Sequence, residues 1–338
     1  MIKFSDFLSQ GDYLFLPSKN NCKVVLNITN QRLSNNSYKL YNPFSLKGKI
    51  FKSVFRQITF VLNKPIKLLL GKKHFQSSAF IIELQKLLDT KINSSLYIAT
   101  AKDKVVLQLQ NRDNYVIGYV KFSLNNLGND HIKNEVNAIQ ILIKAGIVDS
   151  NYLILTNEYK GSNYCVLKNL EGTISSISEV IIQDILKSFK RKTQYTLALH
   201  PRVLNIRKQL ELQKQSEIIK ILDDTINDCK SDYRLVYEHG DFAEWNIIKI
   251  GEDYRLFDFE YFVKDGLEYL DLFKFYFQKA SLLAGYKGPR LVAYLEKKIN
   301  LSHRFKTLFI IFLIKEISLK IKENKNSNKE YTILKSIL

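Results

Sequence analysis

Apolar positions along this chain recur with two different periods, and the change between them marks a change of architecture. Between residues 95 and 168 they come in short runs broken by polar turns, which is strand patterning. Residues 95–100 and 105–109 read as a first hairpin, turned near Lys102 and Asp103. Residues 116–122, 152–156 and 164–168 read as three further strands. One helix interrupts them, because Val136, Ile139, Leu142 and Ile143 make a single apolar stripe over residues 134–142. Beyond residue 173 helical spacing takes over, in runs at 174–191, 203–228, 267–284 and 290–322. Between the second and third runs lie a short strand at 234–237 and a hairpin, 247–250 with 254–257, turned at Gly251, Glu252 and Asp253. The pattern predicts an α+β chain with a β-rich lobe followed by a mostly helical lobe, and ligand in a cleft between the two. Residues 91–172 would form the small lobe and residues 173–338 the large one, leaving 1–90 as an amino-terminal extension.

That extension carries much of the charge. The chain has 338 residues and a formal net charge of +18. Between Asp12 and Glu83 there is no acidic residue, while Lys and Arg recur throughout. Ile50, Phe51, Val54, Phe55, Ile58, Val61 and Leu62 form an apolar stripe at helical spacing, with Lys49, Lys52, Ser53, Arg56 and Gln57 opposite, and Pro65 ends the helix. Three readings stand side by side. The phenylalanines pack against the small lobe, or residues 47–73 lie on an anionic membrane surface or a lipid-linked glycan, or the basic face meets nucleic acid. The aromatics sit apart from the charges, which disfavours stacking on single-stranded nucleic acid. Residues 13–17 and 23–27 read as short strands, a hairpin of a small extra subdomain.

The chemistry concentrates in His239-Gly240-Asp241-Phe242-Ala243-Glu244-Trp245-Asn246, followed by Asp258-Phe259-Glu260. An aspartate five residues before an asparagine, with a second carboxylate twelve residues later, suits phosphoryl transfer. One carboxylate accepts the proton of an attacking hydroxyl, while an amide oxygen and a carboxylate hold Mg²⁺ against nucleotide phosphates. Magnesium favours oxygen ligands and takes few protein carboxylates beside phosphate and water. Either segment alone is also compatible with an ordinary turn or strand end; the pair at this spacing is the informative feature.

These residues resemble the aminoglycoside phosphotransferase and choline kinase-like group, small-molecule kinases on a two-lobed protein-kinase-like fold. The similarity spans roughly residues 95–300. It implies Asp241 as catalytic base, Asn246 and Asp258 as metal ligands, and His239 as a structural member of the loop. Asp271 would brace the loop backbone. ATP or GTP would be the phosphoryl donor, with Mg²⁺. Trp245 stands where many members have glycine, and the HGDFxxWN form is similar to a subset associated with bacterial surface polysaccharides.

A kinase of this kind needs an upstream clamp. Lys121 in the strand 116–122 and Glu135, fourteen residues later near the start of a helix, match that need. The alternative is a surface lysine and a first-turn glutamate favoured by the helix dipole. Residues 169–172 would form the hinge, with main-chain groups of Asn169 and Leu170 meeting the nucleotide base. The first hairpin contains no glycine, so Ser95, Thr100 or the amides of 101–104 are the alternatives for covering the phosphates.

Other features narrow the class. Cys22, Cys165 and Cys229 have no pairing rhythm, which argues against a disulfide scaffold or zinc site. Asp6 falls where a signal peptide's apolar core would begin, so a cytoplasmic protein is expected. The apolar run 307–314 is far shorter than the ~20 residues of a spanning helix and reads as a core helix. The acceptor is expected to be a small molecule or glycan, carbohydrate by preference. The competing class is a catalytically inactive kinase-like scaffold at a membrane surface.

Overall fold

A computed structural model describes residues 3–16, 22–40, 53, 73–98, 103–227 and 229–338. They divide into two compact units, one of residues 1–136 and 149–170, the other of residues 137–148 and 171–338. The α+β class expected from the two periodicities holds in both.

The first unit is built on β1 (Gly11–Leu16), β2 (Val24–Asn27), β3 (Lys73–Phe75), β4 (Asn93–Ile98), β5 (Lys104–Gln110), β6 (Val116–Ser123), β7 (Leu153–Tyr159) and β8 (Ser162–Lys168). Their order across the sheet is β3-β1-β2-β4-β5-β6-β8-β7, with antiparallel neighbours throughout. The amino-terminal hairpin forms in the register Tyr13↔Asn27 to Leu16↔Val24. It does not stand apart as a subdomain. β2 pairs with β1 on one side and with β4 on the other, so the described strands of residues 1–90 extend the small-lobe sheet. The amphipathic segment 50–62, Ser53 apart, lies outside the described residues.

Strand alternation explains how the sheet is covered. Val105, Leu107 and Leu109 share one face of β5 and are fully buried. The short helix α1 (Gln31–Ser37) attends to Gln108 and Gln110 on the other: Gln108 donates to the Asn36 carbonyl at 3.0 Å, and Asn36 donates to Gln110. Helix α2 (Ala79–Leu87), which the pattern analysis does not anticipate, starts at the Ser78 cap and buries Phe80, Ile81 and Leu84. Phe80 packs edge-on against Phe122 and Tyr164. Burial of such a side chain contributes roughly 1.5–3 kcal/mol, so this aromatic group anchors the helix. Helix α3 (Asn126–Lys144) is longer than the stripe over 134–142 suggests, and its buried positions include His131, Ile132, Glu135, Ala138, Ile139 and Leu142.

The second unit contains α4 (Glu179–Ser188), α5 (Pro201–Leu212), α6 (Ser216–Asn227), α7 (Leu270–Gln278), α8 (Gly288–Ile299), α9 (Arg304–Lys322) and α10 (Asn328–Ile337). It also holds a sheet ordered β13 (Val263–Leu267), β10 (Asp232–Glu238), β9 (Lys190–Thr196), and the hairpin β11 (Ile247–Ile250) with β12 (Asp253–Leu256). Several expected helical runs divide. The run 203–228 breaks at Lys214, which adopts φ +56°, and 290–322 breaks at Asn300 and Ser302, at φ +41° and +49°. The run 174–191 ends at Ser188, and β9 follows because its polar residues pair with β10. β13, likewise, is a strand only through its pairing with β10.

Helix α9 is buried on all sides from Leu308 to Ser318, which places the apolar run from Leu308 to Ile314 in a core. Phe273 of α7 stacks on Phe309 and Phe312 within that core. Among the described residues, no helix is long and apolar enough to cross a membrane.

Candidate active site

Strand β10 carries the chain to the loop at 239–246, and the loop's shape depends on two backbone devices. Gly240 sits at φ +80°, and a Cβ there would lie 2.2 Å from the Tyr261 carbonyl oxygen, so glycine is required. The Asp271 carboxylate, buried in the first turn of α7, accepts the N–H of His239 at 2.7 Å and of Gly240 at 3.0 Å. The Asp241 N–H donates to His239 Nδ1 at 3.3 Å, while His239 Nε2 faces the Phe257 carbonyl at 3.0 Å. Hydrogen bonding therefore selects the tautomer protonated on Nε2, and both nitrogens of this buried ring are spent on backbone groups.

The same contacts deliver the second carboxylate. The Phe257 N–H donates to the Asn246 carbonyl at 3.2 Å, and its carbonyl receives His239. Residue 257 is thus tied to both ends of the loop, and Asp258 follows immediately, at φ +68°. A left-handed aspartate costs of order 1–3 kcal/mol and marks a position the surroundings impose.

Asp241 is gripped from several directions. Asn246 Nδ2 donates to the Asp241 carbonyl at 2.8 Å and to its Oδ2 at 3.1 Å. Gln278 Nε2 donates to Oδ1 at 2.8 Å, and Lys274 Nζ lies 3.6 Å from the same oxygen. Because its amide nitrogen is committed to Asp241, Asn246 retains its oxygen for a cation. Asn246 Oδ1 and the Asp258 carboxylate are the hard oxygen donors Mg²⁺ prefers, so the residues fit that ion. Among the described residues no group of three or more His, Cys, Asp or Glu gathers as a metal cage.

Behind Asp241 runs a buried chain of opposite charges that pattern reading misses. Lys274 donates to Glu316 Oε2 at 2.8 Å, and Lys315 lies 3.1 Å from Glu316 Oε1 and 3.3 Å from Glu238 Oε1. Arg202 holds Glu238 through two hydrogen bonds of 2.8 and 2.9 Å. Burial would lower Lys274, but Glu316 and Asp241 raise it above the ordinary lysine value. Burial would raise Glu316, yet Lys274 and Lys315 more than offset this and hold it down to about 2. Burial and the neighbouring Glu238 push Asp271 up to about 6. A faint signal was present in sequence. Asp271, Lys274 and Gln278 recur at i, i+3 and i+7 in a helix otherwise of Leu, Phe and Tyr, and Lys315-Glu316 interrupts an apolar run.

Glu316 allows a test of this network. Its folded value lies below the ordinary 4.5, so the stability it contributes is complete above about pH 4.5 and is lost as pH falls toward 2. Glu316→Gln is expected to flatten that acid limb in urea-midpoint measurements and to cost about 3 kcal/mol or less at neutral pH, since Lys274 and Lys315 keep other partners. An acid limb identical to wild type would show that the pair does not carry it.

In the first unit, Lys121 Nζ meets both oxygens of Glu135, at 2.6 and 2.7 Å, with side-chain exposures of 11% and 1%. The surface reading of this lysine and glutamate is excluded by that burial. Across the β6–β8 pairing, Lys121 faces Cys165, whose thiol burial pushes up to about 12, an inert structural cysteine. Asn169 and Leu170 follow β8, half-buried, and the Asn169 N–H donates to the Ile117 carbonyl at 3.2 Å. Ser95 does not serve as a phosphate donor: it is buried and hydrogen-bonded to Ser37 and to the Asn27 N–H. Thr100 lies outside the described residues. At the end of the same hairpin, sequence reading also missed Asp103, which meets His131 of α3 at 3.0 Å.

An aminoglycoside phosphotransferase, solved as a thermostable mutant in ternary complex with ADP and hygromycin B, superposes with a TM-score of 0.51. The identity is 8%, over 77% of this chain and 99% of that one. The fold is that of the aminoglycoside phosphotransferases. Two further solved structures resemble this chain less well. A protein assigned as a fructosamine-3-kinase from Haemophilus somnus gives TM-score 0.47 at 12% identity, over 76% and 95% of the two chains. Ethanolamine kinase from Plasmodium vivax gives 0.40 at 12%, over 91% and 93%. No family model matches the sequence, and no curated protein matches it either.

Proposed function

We propose that the chain is a nucleotide- and Mg²⁺-dependent phosphotransferase that moves a γ-phosphoryl group to a hydroxyl of a small molecule or glycan. The observation that carries this reading is the Asp241–Asn246 pair, set on a loop whose two amides Asp271 braces. Phosphoryl transfer needs placement and charge neutralisation more than covalent help, and every contact of this loop serves placement. Asp241 orients the acceptor hydroxyl and takes its proton as the new oxygen–phosphorus bond forms. The bond to the β-phosphate oxygen breaks, and the nucleoside diphosphate leaves with the electron pair. Asn246 and Asp258 hold Mg²⁺, which when bound neutralises the phosphate charge. Lys121, held by Glu135, steadies the phosphates, and Asn169 and Leu170 meet the base through main-chain groups.

A carbohydrate acceptor is supported by the shared fold with an enzyme crystallised with ADP and hygromycin B and by the HGDFxxWN form of the loop. The basic segment 47–73 would hold such an enzyme at an anionic membrane surface on the cytoplasmic side. A thermal-shift measurement with ATP, with and without Mg²⁺, tests the reading. A ligand at a hundred times its Kd stabilises by ~2.7 kcal/mol, so a magnesium-dependent rise of several degrees is expected. Asp258→Ala should lose the magnesium-dependent part. A variant that keeps it removes Asp258 from the metal site.

A further inference from the structure

Helix α7 turns one face toward the loop. Asp271 takes the amides of His239 and Gly240, while Lys274 and Gln278 reach Asp241. Two of these contacts follow from ordinary needs, since backbone amides require acceptors and carboxylates accept hydrogen bonds. Lys274 is different. It is a buried cation in a helix whose Phe273, Phe275 and Phe277 are buried apolar side chains. Buried ion pairs are commonly neutral or unfavourable for stability when compared with well-packed apolar replacements. A gain in stability over an apolar side chain therefore does not explain this lysine.

Its geometry does. Lys274 Nζ is anchored by a 2.8 Å hydrogen bond to Glu316 and stands 3.6 Å from Asp241 Oδ1. Glu316 is held in turn by Lys315, and Lys315 by Glu238, the residue just before His239. The anchor is thus fixed from α9 and from the strand that delivers the loop. We propose that Lys274, anchored by Glu316, is a positioning residue for Asp241 in the phosphoryl transfer. This rests on the phosphotransferase reading above. With Asn246 on Oδ2 and Gln278 on Oδ1, the ammonium completes a three-partner grip that fixes the orientation of the carboxylate.

The experiment is steady-state MgATP hydrolysis, with water as the acceptor, in wild type, Lys274→Met, Lys274→Arg, Glu316→Gln and the Lys274→Met/Glu316→Gln double variant. Lys274→Met is expected to lower kcat about 10–100-fold, the range for a misplaced reacting group, with the KM for MgATP within about twofold. Lys274→Arg restores most of kcat. Glu316→Gln lowers kcat in the same way, and the double variant is no worse than Lys274→Met, because both changes remove one device. A wild-type kcat in Lys274→Met, or losses that add in the double variant, overturns the proposal. Should Lys274→Met fail to fold, Glu316→Gln and Lys274→Arg decide it by the same criterion, lost kcat in the first and retained kcat in the second. A wild type with neither MgATP turnover nor the magnesium-dependent thermal shift defeats the phosphotransferase reading instead. Lys274 is then decided by a crystal structure of Lys274→Met: an Asp241 carboxylate displaced from Asn246 and Gln278 supports the positioning role, and an unmoved one ends it.

Discussion

Asp241→Ala is expected to lower kcat for phosphotransfer by ~10²–10⁴-fold, the range for loss of a positioned general base, while nucleotide affinity and fold remain. The fold survives because the loop does not depend on this carboxylate. Asp271 keeps the amides of His239 and Gly240, the His239 ring keeps the Phe257 carbonyl, and Lys274 keeps Glu316. Asp241 is the partly exposed end of the charge chain, with 23% of its side chain open to solvent. Little burial energy is therefore lost with it. Single-turnover kinetics with MgATP, paired with a circular-dichroism melt, is the appropriate measurement. Retention of more than a few per cent of wild-type transfer in a folded variant would remove Asp241 from the reaction.

Gly240→Ala is the second large effect, and it acts through the backbone. A Cβ at residue 240 would stand 2.2 Å from the Tyr261 carbonyl oxygen and 2.8 Å from both its carbonyl carbon and its Cβ. The neighbour is main chain and cannot swing aside. The left-handed conformation adds ~1–2 kcal/mol for any side chain, so the total should reach roughly 3 kcal/mol or more. Transfer should fall as far as in Asp241→Ala, since the loop cannot close on Asp271. Gly251→Ala is the matched control. Its φ is +60°, yet nothing lies within 4 Å of the added Cβ, and only the conformational cost of ~1–2 kcal/mol applies. Urea denaturation of both variants makes the comparison. Equal losses would mean that the close approach to Tyr261 is not what demands glycine at 240.

The legible parts of this molecule share one property. The hairpin 247–257, strand β6 with Lys121, and the stripe of α3 are local patterns in which a dozen residues state their own conformation. The spacing from Asp241 to Asn246 and Asp258 is local for the same reason. What escaped reading depends on residues distant in sequence. β9 is a polar segment that becomes a strand because β10 lies beside it. The breaks at Lys214, Asn300 and Ser302 sit inside continuous amphipathic patterns, where tertiary packing overrides a weak helical preference. Ser95 looked available for phosphate and is consumed by Ser37, fifty-eight residues away.

By itself, then, the sequence determined the two-period architecture and the spacing of the proposed reacting set, Asp241, Asn246 and Asp258, because hydrophobic period and loop spacing are short-range properties of the chain. The tertiary structure alone decided that Lys274 and Glu316 stand behind Asp241, that Gly240 must pass against Tyr261, and that the amino-terminal strands join the small-lobe sheet. Each of these is a contact across some twenty residues or more, or a pairing of strands far apart in sequence. Such contacts exist only once burial has brought the partners together, and no window of sequence contains both.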